Sequence, residues 1–251
     1  SRSASGMVAL LLASQRLRKT WLRQVDVFYA LTQFAKEKFI EGGLPAARMR
    51  IKPNFITPDP GFAAGEGQYA AFVGRLSTEK GIATLLEAWS KISAPVQLKI
   101  IGDGPLADDV VAAAKADPRI EWVGRKSGEE VLRLVGDASC LLLPSLWYEG
   151  FPRTIVESFS RGTPVIASRL GSMTEVIEEG RTGKLVKPGD ADDLAEKVTA
   201  FFADQVQHAP MRRAAYGEFT CKYSAEENYQ ILIDIYQQAI RERQAERSAG
   251  T

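Results

Sequence analysis

The chain has little of what would commit it to several large function classes. Lys+Arg and Asp+Glu number 32 and 31, leaving a formal charge of +1 and no global electrostatic bias toward nucleic acid. No uninterrupted apolar stretch approaches the roughly 20 residues that span a bilayer, which argues against a transmembrane helix. Nothing near the start has the charged, apolar and small-residue order of a secretory signal, and a chain opening Ser1-Arg2-Ser3 is read as a fragment. The two cysteines, Cys140 in an apolar run and Cys221 in a late helix, lack metal or redox spacing and are expected to stay reduced. A cytoplasmic setting follows, with peripheral contact at the inner membrane face as an alternative. There is no internal repeat and no low-complexity tract.

What is present is globular. With 251 residues, 45% hydrophobic and 25% charged, the chain can build one large domain and a partial one. Residues 8–24 carry Leu10, Leu17 and Trp21 at helical spacing, with Arg16, Arg18, Lys19 and Arg23 as a basic face. One amphipathic helix is expected. Its face could meet anionic headgroups, but a solvated exterior is the simpler reading and is preferred. A short buried strand over 25–31 and a helix capped by Thr32 follow. The turn formers from Pro53 to Gly61 mark a boundary or hinge.

Beyond it, strands and helices alternate. Strands are expected at 69–73, 96–101, 120–123, 140–143, 164–167 and 184–186, and helices around 82–89, 107–116, 129–135, 152–160, 174–178, 191–202 and 211–219. Several strands are continuous apolar runs, which predicts a Rossmann-like parallel sheet with helices on both faces. In such sheets ligands bind beyond the carboxyl ends of the strands. A last helix over 225–243 puts Tyr229, Leu232, Ile233, Tyr236 and Ile240 on one face that must pack on something.

Four loops therefore hold the candidates. Gly74-Arg75-Leu76-Ser77-Thr78-Glu79-Lys80-Gly81 joins two cations to two glycines and suits a diphosphate, Arg75 offering a fixed fork and Lys80 a mobile point charge. Gly102-Asp103-Gly104-Pro105-Leu106-Ala107 formally satisfies a dinucleotide fingerprint, but it follows the second strand and lacks the later acid, so a tight turn is preferred. Gly124-Arg125-Lys126-Ser127 places cations where a base could lie, with Ser127 and Glu130 as a capping box. In Glu149-Gly150-Phe151-Pro152-Arg153-Thr154-Ile155-Val156-Glu157, Pro152 is expected at the first helical position. Two carboxylates invite a glycosidase reading. Yet Pro152 to Glu157 advances roughly 8 Å along a helix among phosphate-friendly amides, and one ligand with hydroxyls at both ends and a diphosphate between fits better.

The stretch from Glu149 to Glu157, followed by Gly162-Thr163-Pro164-Val165-Ile166-Ala167, resembles the signature of retaining GT-B glycosyltransferases of the group 1 or family 4 class. Val73-Gly74-Arg75-Leu76 with Lys80-Gly81, Ile101-Gly102-Asp103-Gly104-Pro105, and Glu175 to Gly180 with Thr182-Gly183 fall in that family's order, covering about residues 50 to 220. The resemblance implies a nucleotide sugar, linked to UDP, GDP or ADP, as donor. Arg75 and Lys80 would neutralise its diphosphate and Glu157 would hold the ribose. Glu149 with the Gly150 and Phe151 backbone would contact the sugar, Arg153 and Thr154 would open the phosphate-facing helix end, and Gly74 and the Gly124–Lys126 loop would complete the pocket. Glu149, Arg75 and Lys80 are the implied catalytic residues.

No metal cofactor is implied. Asp108-Asp109 and Asp190 to Asp193 are better read as helix starts, and His208 is a poor acceptor-site candidate. On the same resemblance, residues 1–48 would be the end of an amino-terminal acceptor domain, 49–220 the donor domain, and 221–251 a helix packing back. The chain alone is expected to bind donor weakly and transfer slowly or not at all. A non-catalytic donor-binding module or subunit, and a nucleotide-sugar epimerase, are the competing readings.

Overall fold

The structure, a computed structural model, describes residues 2–249. The side chains of Arg16, part of the expected basic face, and of Glu246 and Arg247 near the end of the chain lie outside the described residues. The chain divides into two compact units: residues up to Lys52 together with those from Tyr229 onward, and Pro53–Asn228. These divisions fall four and eight residues later than the expected 48/49 and 220/221.

In the first unit, α1 (Arg2–Leu17) and α2 (Thr20–Gln24) replace the single helix expected over 8–24. Lys19 between them has φ 53, in the left-handed region. There Cβ crowds the following carbonyl, so a right-handed helix cannot run through it. β1 (Phe28–Ala30) is shorter than the expected 25–31, because Val25 still caps α2 through its N–H to Trp21 O. α3 (Gln33–Glu41) starts as expected, with Thr32 Oγ1 accepting from Ala35 N at 3.1 Å. β2 (Met49–Ile51) lies parallel to β1, Phe28 opposite Met49.

The second unit runs β3 (Tyr69–Val73), α4 (Ile82–Lys91), β4 (Gln97–Ile101), α5 (Ala107–Ala116), β5 (Ile120–Gly124), α6 (Gly128–Asp137), β6 (Cys140–Leu143), α7 (Arg153–Ser160), β7 (Val165–Ser168), α8 (Met173–Val176), β8 (Gly183–Val186), α9 (Ala191–Ala203) and α10 (His208–Lys222). Its six strands form one parallel sheet in the order β5-β4-β3-β6-β7-β8. This is the Rossmann-like layer structure expected from the apolar runs. β6 and β7 are buried at every residue, as central strands covered on both faces must be. α4 packs against α9, and α6 and α10 against α7. Phe72, Leu85, Trp89, Leu98, Ile100, Val198 and Phe201 fill the core beside α4 and α9.

Three local expectations are corrected. Pro152 is the N-cap of α7 rather than its first residue: its φ of −63 is helical but its ψ of 115 is extended, and its carbonyl accepts from Ile155 N at 3.0 Å. α8 is only four residues long, since Ile177 turns extended and Thr182 Oγ1 takes the Glu178 N–H at 2.9 Å. On the final helix, α11 (Ala225–Ala249), Ile235 is buried while Tyr229, Tyr236 and Ile240 are exposed. Polar contacts set that rotation: Arg50 donates from Nε to Gln238 Oε1 and from Nη2 to Glu242 Oε1, both at 2.8 Å. Among the described residues no helix is long and apolar enough to cross a membrane.

Candidate functional site

The strand order fixes where a ligand can sit. From β3 the sheet grows one way through β4 and β5, then the chain returns to place β6 on β3's other side and continues through β7 and β8. The loops after β3 and β6 therefore diverge, and a crevice opens between them at the carboxyl ends, the usual ligand position in such a sheet.

A side-chain cluster spans that crevice. Lys80 Nζ lies 2.5 Å from Glu149 Oε1, joining the β3 loop to the β6 loop, and Ser145 Oγ donates to the same carboxylate oxygen at 2.9 Å. A backbone bond holds the two loops together, Leu146 N donating to Glu79 O at 2.9 Å, and Ser172 Oγ, from the loop after β7, donates to Glu149 O at 2.6 Å. Gly81 makes the approach possible. It has φ 74, and a Cβ there would lie 1.9 Å from Pro144 O. Side-chain exposures of 31% for Lys80 and 21% for Glu149 mean that the pair is only partly desolvated and remains reachable by a ligand.

Beside this pair, at the ends of β3, β4 and β5, lies a cleft of about 660 Å³ lined by Gly74, Arg75, Gly102, Asp103, Gly104, Arg125, Lys126 and Val131. Arg75 is exposed and makes no hydrogen bond or ion pair among the described residues. Arg125 is likewise exposed, and Lys126 is only 4.0 Å from Glu130, so the cleft carries cations not fully neutralised by the protein. The capping box of Ser127 and Glu130 is formed, fixing the start of α6 beneath these cations. Gly102 serves loop packing: at φ 143, a Cβ would lie 1.9 Å from Gly74 O, and Leu76 N donates to Asp103 O at 3.0 Å. The glycines of the dinucleotide-like motif thus press one loop against its neighbour.

The structure therefore brings together Gly74, Arg75, Arg125 and Lys126 around one cleft, and separately joins Lys80 to Glu149 between the loops after β3 and β6; Gly124, Lys80 and Glu149 do not line the cleft. Gly124, at φ 75, turns the chain out of β5. α7 presents Arg153 and Thr154 in its first turn. Glu157, a turn further, pairs with Arg153 at 3.2 Å. Burial raises the Glu157 pKa, and Arg153 only partly opposes the shift. Phe151 is placed differently from its neighbours: its ring is buried against Tyr223, centroids 5.5 Å apart, and its carbonyl accepts from Asn54 Nδ2 at 3.1 Å. Gly150 lies in the exposed turn before it.

Ser145 and Ser172 escaped the sequence reading. Ser145 had a weak signal, four residues before Glu149; Ser172 had none, lying 23 residues beyond it in another loop. Among the described residues no group of three or more His, Cys, Asp or Glu is arranged to hold a metal. Asp190 caps α9, accepting from Asp193 N at 2.9 Å, and Asp108 and Asp109 lie in the first turn of α5. His208 stacks on Phe201, ring centroids 4.1 Å apart, far along the chain from these loops.

Comparison with known proteins bears on the family and the fold. Residues 58–218 match the family described as glycosyl transferases group 1. The chain is 30% identical over 176 residues to an uncharacterized glycosyltransferase of Methanocaldococcus jannaschii, covering 69% of this chain and 49% of that protein. It is 32% identical over 190 residues to alpha-maltose-1-phosphate synthase of Mycolicibacterium smegmatis, covering 66% and 47%. It thus spans about half the length of these curated relatives. Among solved structures, Anabaena HepE in complex with UDP-glucose shares the fold with a TM-score of 0.76 at 20% identity, over 86% of this chain and 65% of that one. Sucrose-phosphate synthase from Thermosynechococcus elongatus does so with a TM-score of 0.78 at 22% identity, over 90% and 61%.

Proposed function

The chain belongs to the group 1 glycosyl transferases, and on that premise we propose that its Pro53–Asn228 unit holds the nucleotide-sugar donor for a retaining transfer to an acceptor hydroxyl. The observation that carries this reading is the Lys80–Glu149 pair set across the strand-order switch beside a cationic cleft. A diphosphate would span Arg75 and Lys80, with the base toward Arg125 and Lys126. The ribose would lie on Glu157 and the sugar on Glu149 with the Gly150–Phe151 backbone. Arg153 and Thr154 contribute the helix end, where amides and the dipole favour anions.

Without ligand, Glu149 neutralises Lys80. A diphosphate entering the crevice competes for that ammonium, drawing Lys80 toward phosphate and freeing the carboxylate for sugar hydroxyls. As the bond to the leaving oxygen breaks, negative charge grows on the diphosphate. Cations already in place stabilise it without reorganisation, which makes a metal unnecessary in this scheme. Retention follows if the acceptor hydroxyl attacks from the face the diphosphate leaves. Further acceptor contacts are expected from sequence outside this unit, so this unit alone should turn over slowly or not at all.

A thermal-shift panel with UDP, GDP and ADP tests the donor site. A nucleotide at 100 times its Kd stabilises the folded state by about 2.7 kcal/mol, raising Tm by roughly 5–10 °C for a domain of this size. One nucleotide should give this shift, and Arg75→Ala should remove most of it; a flat panel would sink the assignment. Incubation of the bound donor without acceptor separates the alternatives, since isomerised donor would indicate an epimerase.

Glu157 allows a second test. An acid whose folded pKa is raised binds its proton more tightly when folded. The stabilisation this gives is full below the unfolded pKa and is lost as pH rises through the folded one. Burial therefore makes the ionised form of Glu157 a cost to the free fold, partly offset by Arg153. Glu157→Gln is expected to raise the ligand-free Tm while lowering nucleotide affinity about tenfold, the scale of one charge-assisted hydrogen bond. Unchanged nucleotide affinity would contradict the ribose role, and a lowered ligand-free Tm would contradict the burial cost.

A further inference from the structure

We propose that Trp147, flanked by Leu146 and Leu170, is a stacking subsite for the neutral sugar ring of the acceptor, an assignment that rests on the donor reading above. Trp147 is 69% exposed, and among the described residues no ring contact, cation or hydrogen bond engages its indole. An exposed tryptophan on a floppy loop would mean little, but this loop is held on both sides. Leu146 is tied to the β3 loop by its N–H to Glu79 O, and Glu149 is fixed by Lys80, Ser145 and Ser172. The indole is thus presented on a braced platform two residues from the carboxylate assigned to the donor sugar, with little side-chain entropy to lose on binding.

The two sides of the Lys80–Glu149 pair differ in chemistry. The cleft at the ends of β3–β5 is lined by Arg75, Arg125, Lys126 and Asp103 and suits the charged nucleotide. A second cleft, of about 490 Å³ and lined by Leu146, Trp147, Tyr148 and Leu170, belongs to the loops after β6 and β7 and contains no charged side chain. Its occupant should be neutral and have an apolar face.

A pyranose meets both needs. Its C–H face can lie on the indole while its hydroxyls point away from the ring toward water and the polar backbone of the loop. An alkyl chain would cover the ring but carries no set of hydroxyls to present beside the donor sugar. The donor sugar is already assigned to Glu149, which leaves the acceptor for this side.

Saturation-transfer NMR on the chain tests the subsite, using methyl α-glucopyranoside and methyl α-galactopyranoside with the nucleotide selected by the thermal panel, and hexanol as an apolar control. Ring C–H protons of at least one glycoside should receive saturation in the wild-type chain and in Trp147→Phe. In Trp147→Ala that signal should fall at least fivefold, while the nucleotide's base and ribose signals stay unchanged in all three. Glycoside signal that survives Trp147→Ala would overturn the proposal, as would silence from both glycosides with the nucleotide bound. Hexanol bound in their place would overturn it in favour of a lipid acceptor. Loss of the nucleotide's own signals in the wild-type chain would instead refute the donor reading on which the proposal stands.

Discussion

Lys80→Ala is expected to lower nucleoside diphosphate affinity by about 10–100-fold, the scale of a lost hydrogen bond between charged groups. Sugar transfer in the full-length protein should fall by about 100–1000-fold, as when one preorganised donor to a developing oxyanion is removed. The affinity loss is read by titration calorimetry and the transfer loss by release of nucleoside diphosphate. A structural role through Glu149 has a different signature. Since Lys80 Nζ and Glu149 Oε1 are 2.5 Å apart, their substitutions must be coupled. If Lys80 only positions Glu149, the double variant with Glu149→Gln binds nucleotide no worse than Glu149→Gln alone. If Lys80 holds phosphate itself, the double variant is weaker than that single one. Wild-type nucleotide affinity in Lys80→Ala would remove Lys80 from the site altogether.

The second large effect concerns stability. Arg212 on α10 is 5% exposed, and its guanidinium donates to Ala138 O at 2.8 Å and to Gly136 O and Ala63 O at 2.9 Å. Burial first, and the neighbouring Arg161 second, push its pKa down to about 10, so it is still charged at neutral pH. It is a buried cation held by carbonyl oxygens, and those bonds clasp the segment leading into β3 to the end of α6. Arg212→Ala leaves the carbonyls without donors at about 1–3 kcal/mol each where water cannot replace them, so the fold should lose about 3 kcal/mol or more.

Urea denaturation should show the midpoint falling with its slope unchanged, and the nucleotide affinity of the remaining folded protein intact. Arg212→Lys should recover only part of the loss, because an ammonium cannot reproduce the guanidinium fork. A loss below about 1 kcal/mol would show that water or a local shift satisfies the carbonyls instead.

Much of this site was legible because local sequence decides it. The fully apolar Cys140–Leu143 and Val165–Ala167 runs could only be covered strands, and the helix expected over 107–116 is α5 to the residue. Ser127 with Glu130 announced the start of α6, and Thr32 that of α3. Once the sheet was read as parallel, the loops after its strands were the place to look, and the cationic cleft lies there. The failures share a cause: each depended on a neighbour distant in sequence or on a backbone angle that composition does not encode. Lys19 breaks its helix by a left-handed φ at a residue that usually favours helix. The apolar stripe of α11 is overruled by Arg50, 188 residues from the Gln238 it holds.

The sequence by itself determined the alternation of strands and helices, the parallel sheet, and which loops carry cations, glycines and carboxylates, because apolar periodicity and turn chemistry act over a few residues. Only the tertiary structure decided that Lys80 neutralises Glu149 across 69 positions of chain. It also decided that Gly102 yields to the Gly74 backbone, and that Trp147 stands exposed on a braced loop beside an uncharged cleft. These depend on strand order and on the close approach of loops from different strands, which no local pattern specifies.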